Sequence, residues 1–224
     1  MERKIIFSEG EFYHLYNRGV EKRSIFSDNN DRERFLRLLF IANSTEPFVF
    51  RDVEDKKFCE IDREKPLTAV GAYCLMPNHF HILVKEVRKG GISAFMEKLT
   101  TGYSMYFNKR NDRVGPLFQG TFKAQHITRD EHLKYLYAYI HLNPVKLIDS
   151  RWKESGIRDR TRAKHYLQTY RYSSYLDYCG AEREEGLILA QDEFPRYFSK
   201  SNSFNNLIND WLNYQDSDPR QYIG

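Results

Sequence analysis

The chain has 224 residues, enough for one domain with a hydrophobic core, and its three cysteines lack the paired spacing of a disulfide framework or a zinc ribbon. No stretch is apolar for long enough to act as a signal peptide or to span a bilayer, so we expect a cytoplasmic protein with no membrane partner. Residues 1–180 carry 31 Lys and Arg against 23 Asp and Glu, and residues 181–224 carry 4 against 8; this uneven charge fits a phosphate-bearing partner as well as it fits a solvated surface.

The first 66 residues predict a strand, a helix and a polar segment. EFYHLYNRGV (11–20) alternates between apolar and polar residues, which is typical of a strand. DRERFLRLLFIA (31–42) is apolar at helical spacing, and Ser27 and Asp28 before it signal the start of a helix. Residues 51–66 are polar and highly charged, and they predict an excursion or a ragged hairpin without chemistry of its own.

The next two strands form a predicted hairpin that carries two histidines. LTAVGAYCLM (67–76) and HFHILVKEV (79–87) flank the strong turn formers Pro77–Asn78. Side chains alternate across a strand, so His79 and His81 project from one face. Two imidazoles on one face can bind a single metal ion, although the same pattern also describes two polar positions on an amphipathic strand.

Three further elements follow. Residues 90–111 have apolar side chains at three- and four-residue spacing, which predicts an amphipathic helix. Residues 115–127 predict a short fourth strand interrupted by glycine. Residues 130–143 predict a third helix, capped by Thr128 or Asp130.

The order β-α-β-β-α-β-α predicts an α+β fold, a ferredoxin-like or RRM-like sandwich with an antiparallel sheet. We expect helices on one face of the sheet and a second face left open to a large ligand. Residues 1–150 would form this domain. Residues 151–224 would form a C-terminal extension that is partly helical and acidic toward its end.

The third helix offers a second set of candidate functional groups. Tyr135, Tyr139 and Asn143 lie four residues apart and therefore share one helical stripe. A tyrosine can attack a phosphodiester, but its ordinary pKa near 10 requires help from a nearby cation or base. A helical tyrosine is also a common core residue, and an asparagine before proline is a natural helix end. The other histidines, among them His14, are interpreted as ordinary hydrogen-bonding residues.

Several ordered motifs together resemble a known family. MPNHFHILV, GPLFQGTFKAQHI, YAYIHLNPVK and YRYSSYLDYCG are similar to motifs of the REP-associated tyrosine transposases, bacterial members of the single-tyrosine HUH transposases. The resemblance runs from about Tyr13 to Gly180. It implies cleavage and rejoining of single-stranded or hairpin DNA through a 5′-phosphotyrosine intermediate, with Mg²⁺ or Mn²⁺ as cofactor. It also favours a monomer over a homodimer.

Carried over to this chain, the resemblance implies a role for each of four residues. His79 and His81 would be metal ligands, Tyr139 the nucleophile, and Asn143 the residue that completes the metal site. Two imidazoles ordinarily favour zinc or another softer metal over magnesium.

Basic residues interleaved with aromatic ones could bind the DNA backbone. The candidates are Arg18, Lys22, Arg23, Lys109, Arg110 and Lys123. Two alternatives remain open: a non-catalytic module, such as a domesticated transposase, that recognises structured DNA or RNA, and a metallohydrolase that uses water and forms no covalent intermediate.

Overall fold

The computed structural model describes residues 5–198 and 202–213. Its four strands are β1 (Phe12–Arg18), β2 (Thr68–Met76), β3 (His79–Glu86) and β4 (Lys123–Ile127). Its helices are α1 (Asn29–Ile41), α2 (Gly91–Arg110), α3 (Asp130–Leu142), α4 (Trp152–Ser155), α5 (Arg160–Thr169), α6 (Tyr175–Tyr178) and α7 (Ser203–Asn213). The predicted order of elements up to α3 is confirmed. No helix of these described ranges has the length and apolar character needed to cross a membrane.

The strands form one antiparallel sheet in the order β2-β3-β1-β4. Strands β2 and β3 are joined by the predicted tight turn, which pairs Met76 with His79. Strand β3 then lies between β2 and β1 at the centre of the sheet. This arrangement is the ferredoxin-like sandwich that the sequence predicts.

Helices α1 and α2 pack on the first face of the sheet and bury the larger core. Asp28 caps α1 by accepting a hydrogen bond from the backbone of Asp31, which confirms the predicted helix start. Glu86, fully buried at the end of β3, accepts backbone hydrogen bonds from Gly90 and Ile92 at the start of α2. This core contains Leu15, Phe35, Phe80, Ile82, Phe95, Leu99 and Tyr103.

The prediction that the second face is open is wrong, because α3 and the C-terminal segments cover part of it. Small and apolar residues of the sheet, such as Ala72, Cys74 and Leu83, form a second core with Leu136 and Ile140 of α3. Every residue of β2 is buried, so this strand has apolar groups to cover on both of its faces. Burial of these groups brings α3 across the sheet.

The C-terminal extension continues the sheet beyond the outer edge of β2. Leu75 donates a backbone hydrogen bond to Tyr172 (2.9 Å), and Ser174 donates one to Tyr73 (3.0 Å). The Ser174 hydroxyl also accepts a hydrogen bond from the Tyr73 backbone. The described part of the extension is therefore attached to the sheet by main-chain pairing. Of the eight acidic residues in residues 181–224, where an acidic end is predicted, six lie in the described part of the extension, and Asp216 and Asp218 lie outside the described residues.

Two local predictions differ from the structure. The fourth strand begins only at Lys123, because the preceding residues form a loop in which Gly115 and Gly120 adopt positive φ values. The predicted caps of α3 are wrong, since Arg129 occupies the cap position and no side chain caps the helix. The Asp130 carboxylate instead pairs with Lys134 within the first turn (2.8 Å).

A candidate active site between the sheet and helix α3

Strand β3 directs both predicted histidines to the second face of the sheet, toward α3. The His79 and His81 rings are 5.0 Å apart between centroids and meet edge to face. In the antiparallel register, His79 lies opposite Arg18 and His81 lies opposite Tyr16 of β1. These four side chains therefore share one face of two adjacent strands.

Hydrogen bonds orient the His79 ring and determine which nitrogen carries its proton. The Nδ1 atom lies 2.7 Å from the Oδ1 atom of Asn78. The Asn78 amide nitrogen donates to the carbonyl of Lys22 (3.1 Å), so Oδ1 is the atom that faces the imidazole. His79 must then donate from Nδ1, so that Nε2 is the unprotonated nitrogen when the ring is neutral. A neutral imidazole in this state has the lone pair that a metal ligand needs.

A third histidine, His14, belongs to this cluster, although its sequence context was interpreted as ordinary. Its Nε2 atom lies 2.9 Å from Nδ1 of His81, and the two rings stack with centroids 5.0 Å apart. Both rings are almost completely buried, each at 6% exposure. The alternation of β1 places His14 on the face opposite Tyr13 and Leu15. Only the pairing of β1 with β3, which no single motif reveals, brings it to His81.

Helix α3 presents Tyr139 to the histidine cluster. The Tyr139 ring lies edge-on to His81 (5.4 Å between centroids) and to His14 (5.9 Å). From Tyr135 to Val145 every residue is buried except Tyr139, which is partly accessible. Burial raises the pKa of the Tyr139 phenol above its ordinary value, and a side-chain hydrogen bond with Asn143 opposes this shift.

Asn143 lies one turn after Tyr139 at the end of α3. Its amide nitrogen donates to the backbone carbonyl of Tyr139 (2.7 Å), and the side chain is buried. This bond satisfies a carbonyl that the helix end would otherwise leave unpaired. The carboxamide oxygen is the atom that the predicted metal role requires.

The predicted basic residues fall into two groups. Arg18 and Lys123 lie on the same face as the histidines, since Arg18 is opposite His79 and Lys123 is opposite Tyr16. Both side chains are exposed. Lys22 and Arg23 follow β1 in a short turn, in which Arg23 lies 3.6 Å from the Glu21 carboxylate.

Lys109 and Arg110 lie instead at the end of α2, in the helix layer on the first face. Lys109 is exposed. The Arg110 guanidinium binds the carboxylates of Asp28 and Asp31, each at 2.5 Å, and Asp31 is fully buried. The two carboxylates give Arg110 a structural role. A DNA phosphate would have to displace them to bind the guanidinium.

The donor set is compatible with a catalytic metal ion. His79 and His81 supply two imidazoles, and within the described ranges there is no group of three His, Cys, Asp or Glu side chains that could hold a metal. Further ligands would therefore be the neutral oxygens of Asn143 and water, and an anionic oxygen of the substrate phosphate. Such an incomplete protein ligand set is what a catalytic site with open coordination positions requires.

The chain is similar to known proteins in sequence and in fold. The sequence model of a family described as IS200-like transposases matches residues 12–143, which begin at β1 and end at Asn143. No curated protein matches the chain significantly.

Solved structures with a similar chain path include a REP-associated tyrosine transposase bound to a REP hairpin. It has a TM-score of 0.50 at 14% sequence identity, and the alignment covers 83% of this chain and 90% of that chain. A bacterial tRNA(His) guanylyltransferase-like protein is less similar. Its ATP complex has a TM-score of 0.39 at 11% identity, covering 75% of this chain and 72% of that one. Its GTP complex has a TM-score of 0.38 at 11% identity, covering 67% and 73%. The first of these similarities shows a shared fold.

Proposed function

The chain belongs to the family of IS200-like transposases, and on this premise we propose that it cleaves and rejoins single-stranded or hairpin-folded DNA with Tyr139 as the nucleophile. The observation that carries the proposal is the contact between the Tyr139 ring and the His81 ring. It joins the two motifs, the histidine strand and the tyrosine helix, at the one partly accessible residue between Tyr135 and Val145.

The proposed reaction consists of two transesterifications. The Tyr139 oxygen attacks a phosphorus atom of the DNA, a bond between tyrosine and the 5′ phosphate forms, and the bond to the 3′ oxygen breaks. The phenol gives up its proton as it attacks, and the departing 3′ oxygen takes up one proton, so the number of protons does not change. A 3′-hydroxyl later attacks the phosphotyrosine, which restores a phosphodiester and the phenol. Each step exchanges one P–O bond for another, so no external energy source is needed.

The chain's own residues would prepare the phosphate and the phenol for attack. His79 and His81, together with the carboxamide oxygen of Asn143, would hold a divalent ion. When bound, such an ion supplies Lewis acidity that stabilises charge on the phosphate and on the departing oxygen. The resemblance favours Mg²⁺ or Mn²⁺, and the two imidazoles favour Mn²⁺ of these.

Exposed cations around the cluster would bind the DNA backbone. Arg18 and Lys123 support this role best, because they share the face of His79 and Tyr16. Lys22 and Arg23 extend the positive surface from the end of β1. Backbone contacts of this kind make binding salt-dependent without specifying sequence. Lys109 lies farther from the cluster, in the helix layer.

The test is a covalent adduct assay with a hairpin oligonucleotide labelled at its 3′ end, because the 3′ fragment is the one that would remain on the protein. In the presence of Mn²⁺ the wild type should yield a labelled species of reduced mobility on a denaturing gel. Tyr139→Phe should abolish this species while binding the hairpin with unchanged affinity. Tyr135→Phe is the matched control, one turn earlier on the same helix, and should retain the adduct.

The assay also separates the alternatives. Cleavage that survives Tyr139→Phe without any adduct would identify a metallohydrolase and refute the tyrosine mechanism. Hairpin binding by the wild type with neither cleavage nor adduct, over a series of hairpins and flanking strands, would favour the non-catalytic module.

A further inference from the structure

Each histidine of the β3 pair has a hydrogen-bond partner at its Nδ1 atom. For His79 the partner is Asn78 Oδ1, and for His81 it is His14 Nε2. We propose that Asn78 and His14 are positioning residues that hold both imidazoles in the Nδ1-protonated tautomer, so that both Nε2 atoms face the metal. The inference rests on the metal site of the proposed function and identifies the residues that prepare it.

The Asn78 contact belongs to a short chain of hydrogen bonds. The Lys22 carbonyl fixes the orientation of the Asn78 carboxamide, and the carboxamide oxygen fixes the proton of His79. Asn78 occupies the tight turn between β2 and β3, where its backbone carbonyl also accepts a hydrogen bond from Gly19 (2.9 Å). The same turn that reverses the chain therefore orients the first imidazole.

The direction of the His14 contact follows from the chemistry of the pair. Only one of the two facing nitrogens can carry the proton when both rings are neutral. If His14 donated, His81 would carry its own proton on Nε2 and could not bind a metal through that atom. His14 must therefore accept through Nε2 and carry its proton on Nδ1.

A histidine suits this position better than the carboxylate that often orients metal ligands. The site lies within a largely buried cluster and would receive an anionic DNA phosphate. A carboxylate beside His81 would repel that phosphate and would be costly to bury. A neutral imidazole on the adjacent central strand accepts the hydrogen bond without adding negative charge.

The experiment combines Mn²⁺ titration by calorimetry with long-range ¹H–¹⁵N NMR of the metal-free protein. The NMR spectrum should show His79 and His81 protonated at Nδ1. His14→Phe, which keeps a ring but removes the acceptor, should lose this signature for His81 and weaken Mn²⁺ binding about 10- to 100-fold. His14→Gln, which can place an oxygen near the former Nε2 atom, should recover most of the affinity.

Control measurements separate positioning from folding. His126→Phe alters a histidine of the same sheet that bonds to Glu11 on the protein surface, and it should leave Mn²⁺ affinity unchanged. Circular dichroism of each variant establishes that it is folded. If His14→Phe fails to fold, the comparison of His14→Gln with the wild type and the wild-type NMR spectrum still decide the question.

Two results would overturn the inference. One is an Nε2-protonated His81 in the metal-free wild type, and the other is a folded His14→Phe variant that binds Mn²⁺ as tightly as the wild type. Either result leaves the tyrosine mechanism intact if the wild type still forms its adduct. Conversely, the wild type could show the predicted tautomers but form no covalent adduct with DNA. That result would refute the proposed function and leave the hydrogen-bond assignment unchanged.

Discussion

Tyr139 is surrounded by groups that make it a protonated phenol at neutral pH. Burial raises the pKa of the phenol. The hydrogen bond with Asn143 lowers this pKa by a smaller amount, so the net shift is upward. The neighbouring rings of His81 and His14 are hydrogen-bonded to each other. Ionisation of this phenol is therefore a step that the protein has to assist during the reaction.

The raised pKa of Tyr139 predicts how adduct formation depends on pH. Below the pKa, the phenolate fraction increases about tenfold per pH unit, so the single-turnover rate should rise with that slope from pH 8 to pH 10. No plateau should occur near neutral pH, because burial raises the pKa of the phenol above its ordinary value. Rapid-quench measurement of the adduct with Mn²⁺ checks this, and a plateau at pH 8 would contradict it.

At this scale the sequence predicts the chemistry of β3 and α3 but not the full cluster. His79 and His81 are recognisable because a two-residue spacing has only one meaning on a strand. His14 is the only histidine of β1, and its place in the cluster depends on a contact with His81, which is 67 residues away in sequence. The roles assigned to these residues stay predictions until the variants are measured.

Among the elements, helix α3 has the largest effect on the site because it crosses the second face of the sheet. The sequence predicts the bounds of α3 well, yet the expectation of an open face was wrong. The physical signal was present in TAVGAYCLM, whose residues are apolar without alternation. A strand that is apolar on both faces must be covered on both, and α3 supplies the second cover.

The ion pairs of Arg110 with Asp28 and Asp31 join helices α1 and α2. Substitution of Arg110 should therefore change the stability of the protein more than substitution of the adjacent Lys109. Arg110→Gln should lower the free energy of unfolding measurably, because it removes the guanidinium that is bonded to the fully buried Asp31 carboxylate. Lys109→Gln is the matched control and should change stability by less than about 0.5 kcal/mol. Urea denaturation monitored by circular dichroism measures both, and equal stabilities would contradict the structural role of Arg110.

The His141 side chain joins helix α3 to the C-terminal extension. Its buried imidazole predicts that the free energy of unfolding depends on pH. The buried ring bonds to the Tyr137 carbonyl and the Ser174 hydroxyl, and burial lowers its pKa from 6.5 to about 3. Below pH 6.5 the unfolded chain therefore binds a proton that the folded protein does not. This group alone should reduce the free energy of unfolding by about 1.4 kcal/mol per pH unit between pH 6 and pH 3.

The measurement compares urea denaturation of the metal-free wild type and His141→Gln over that pH range. The variant lacks the imidazole, so its stability should fall less steeply with decreasing pH, even if its stability at pH 7 is lower. Identical slopes would show that His141 is not held neutral by the fold.

For the whole molecule, the two edges of the sheet determine whether a second copy could pair with it. The outer edge of β2 is already paired with residues 172–174 of the extension. The other edge, β4, has only five residues and exposes Lys123 and His126. Short, charged edges resist pairing with a second copy.

This arrangement supports the predicted monomer. Light scattering coupled to size-exclusion chromatography should give a mass near 26.8 kDa for the free protein across micromolar concentrations, and the mass of one chain plus one hairpin for the DNA complex. A dimer that exchanges α3 between copies would contradict the prediction, because the Tyr139–His81 contact would then form between two chains.

The central claim is that Tyr139 becomes covalently attached to DNA, and peptide mass spectrometry tests it most directly. After reaction with hairpin DNA and Mn²⁺, nuclease and trypsin digestion should give the peptide of residues 135–146, which contains Tyr135, Tyr137 and Tyr139. Fragment ions should locate a 5′-phosphodeoxynucleotide on Tyr139. Its location on Tyr135 or Tyr137, or complete strand cleavage with no modified tyrosine, would contradict the account.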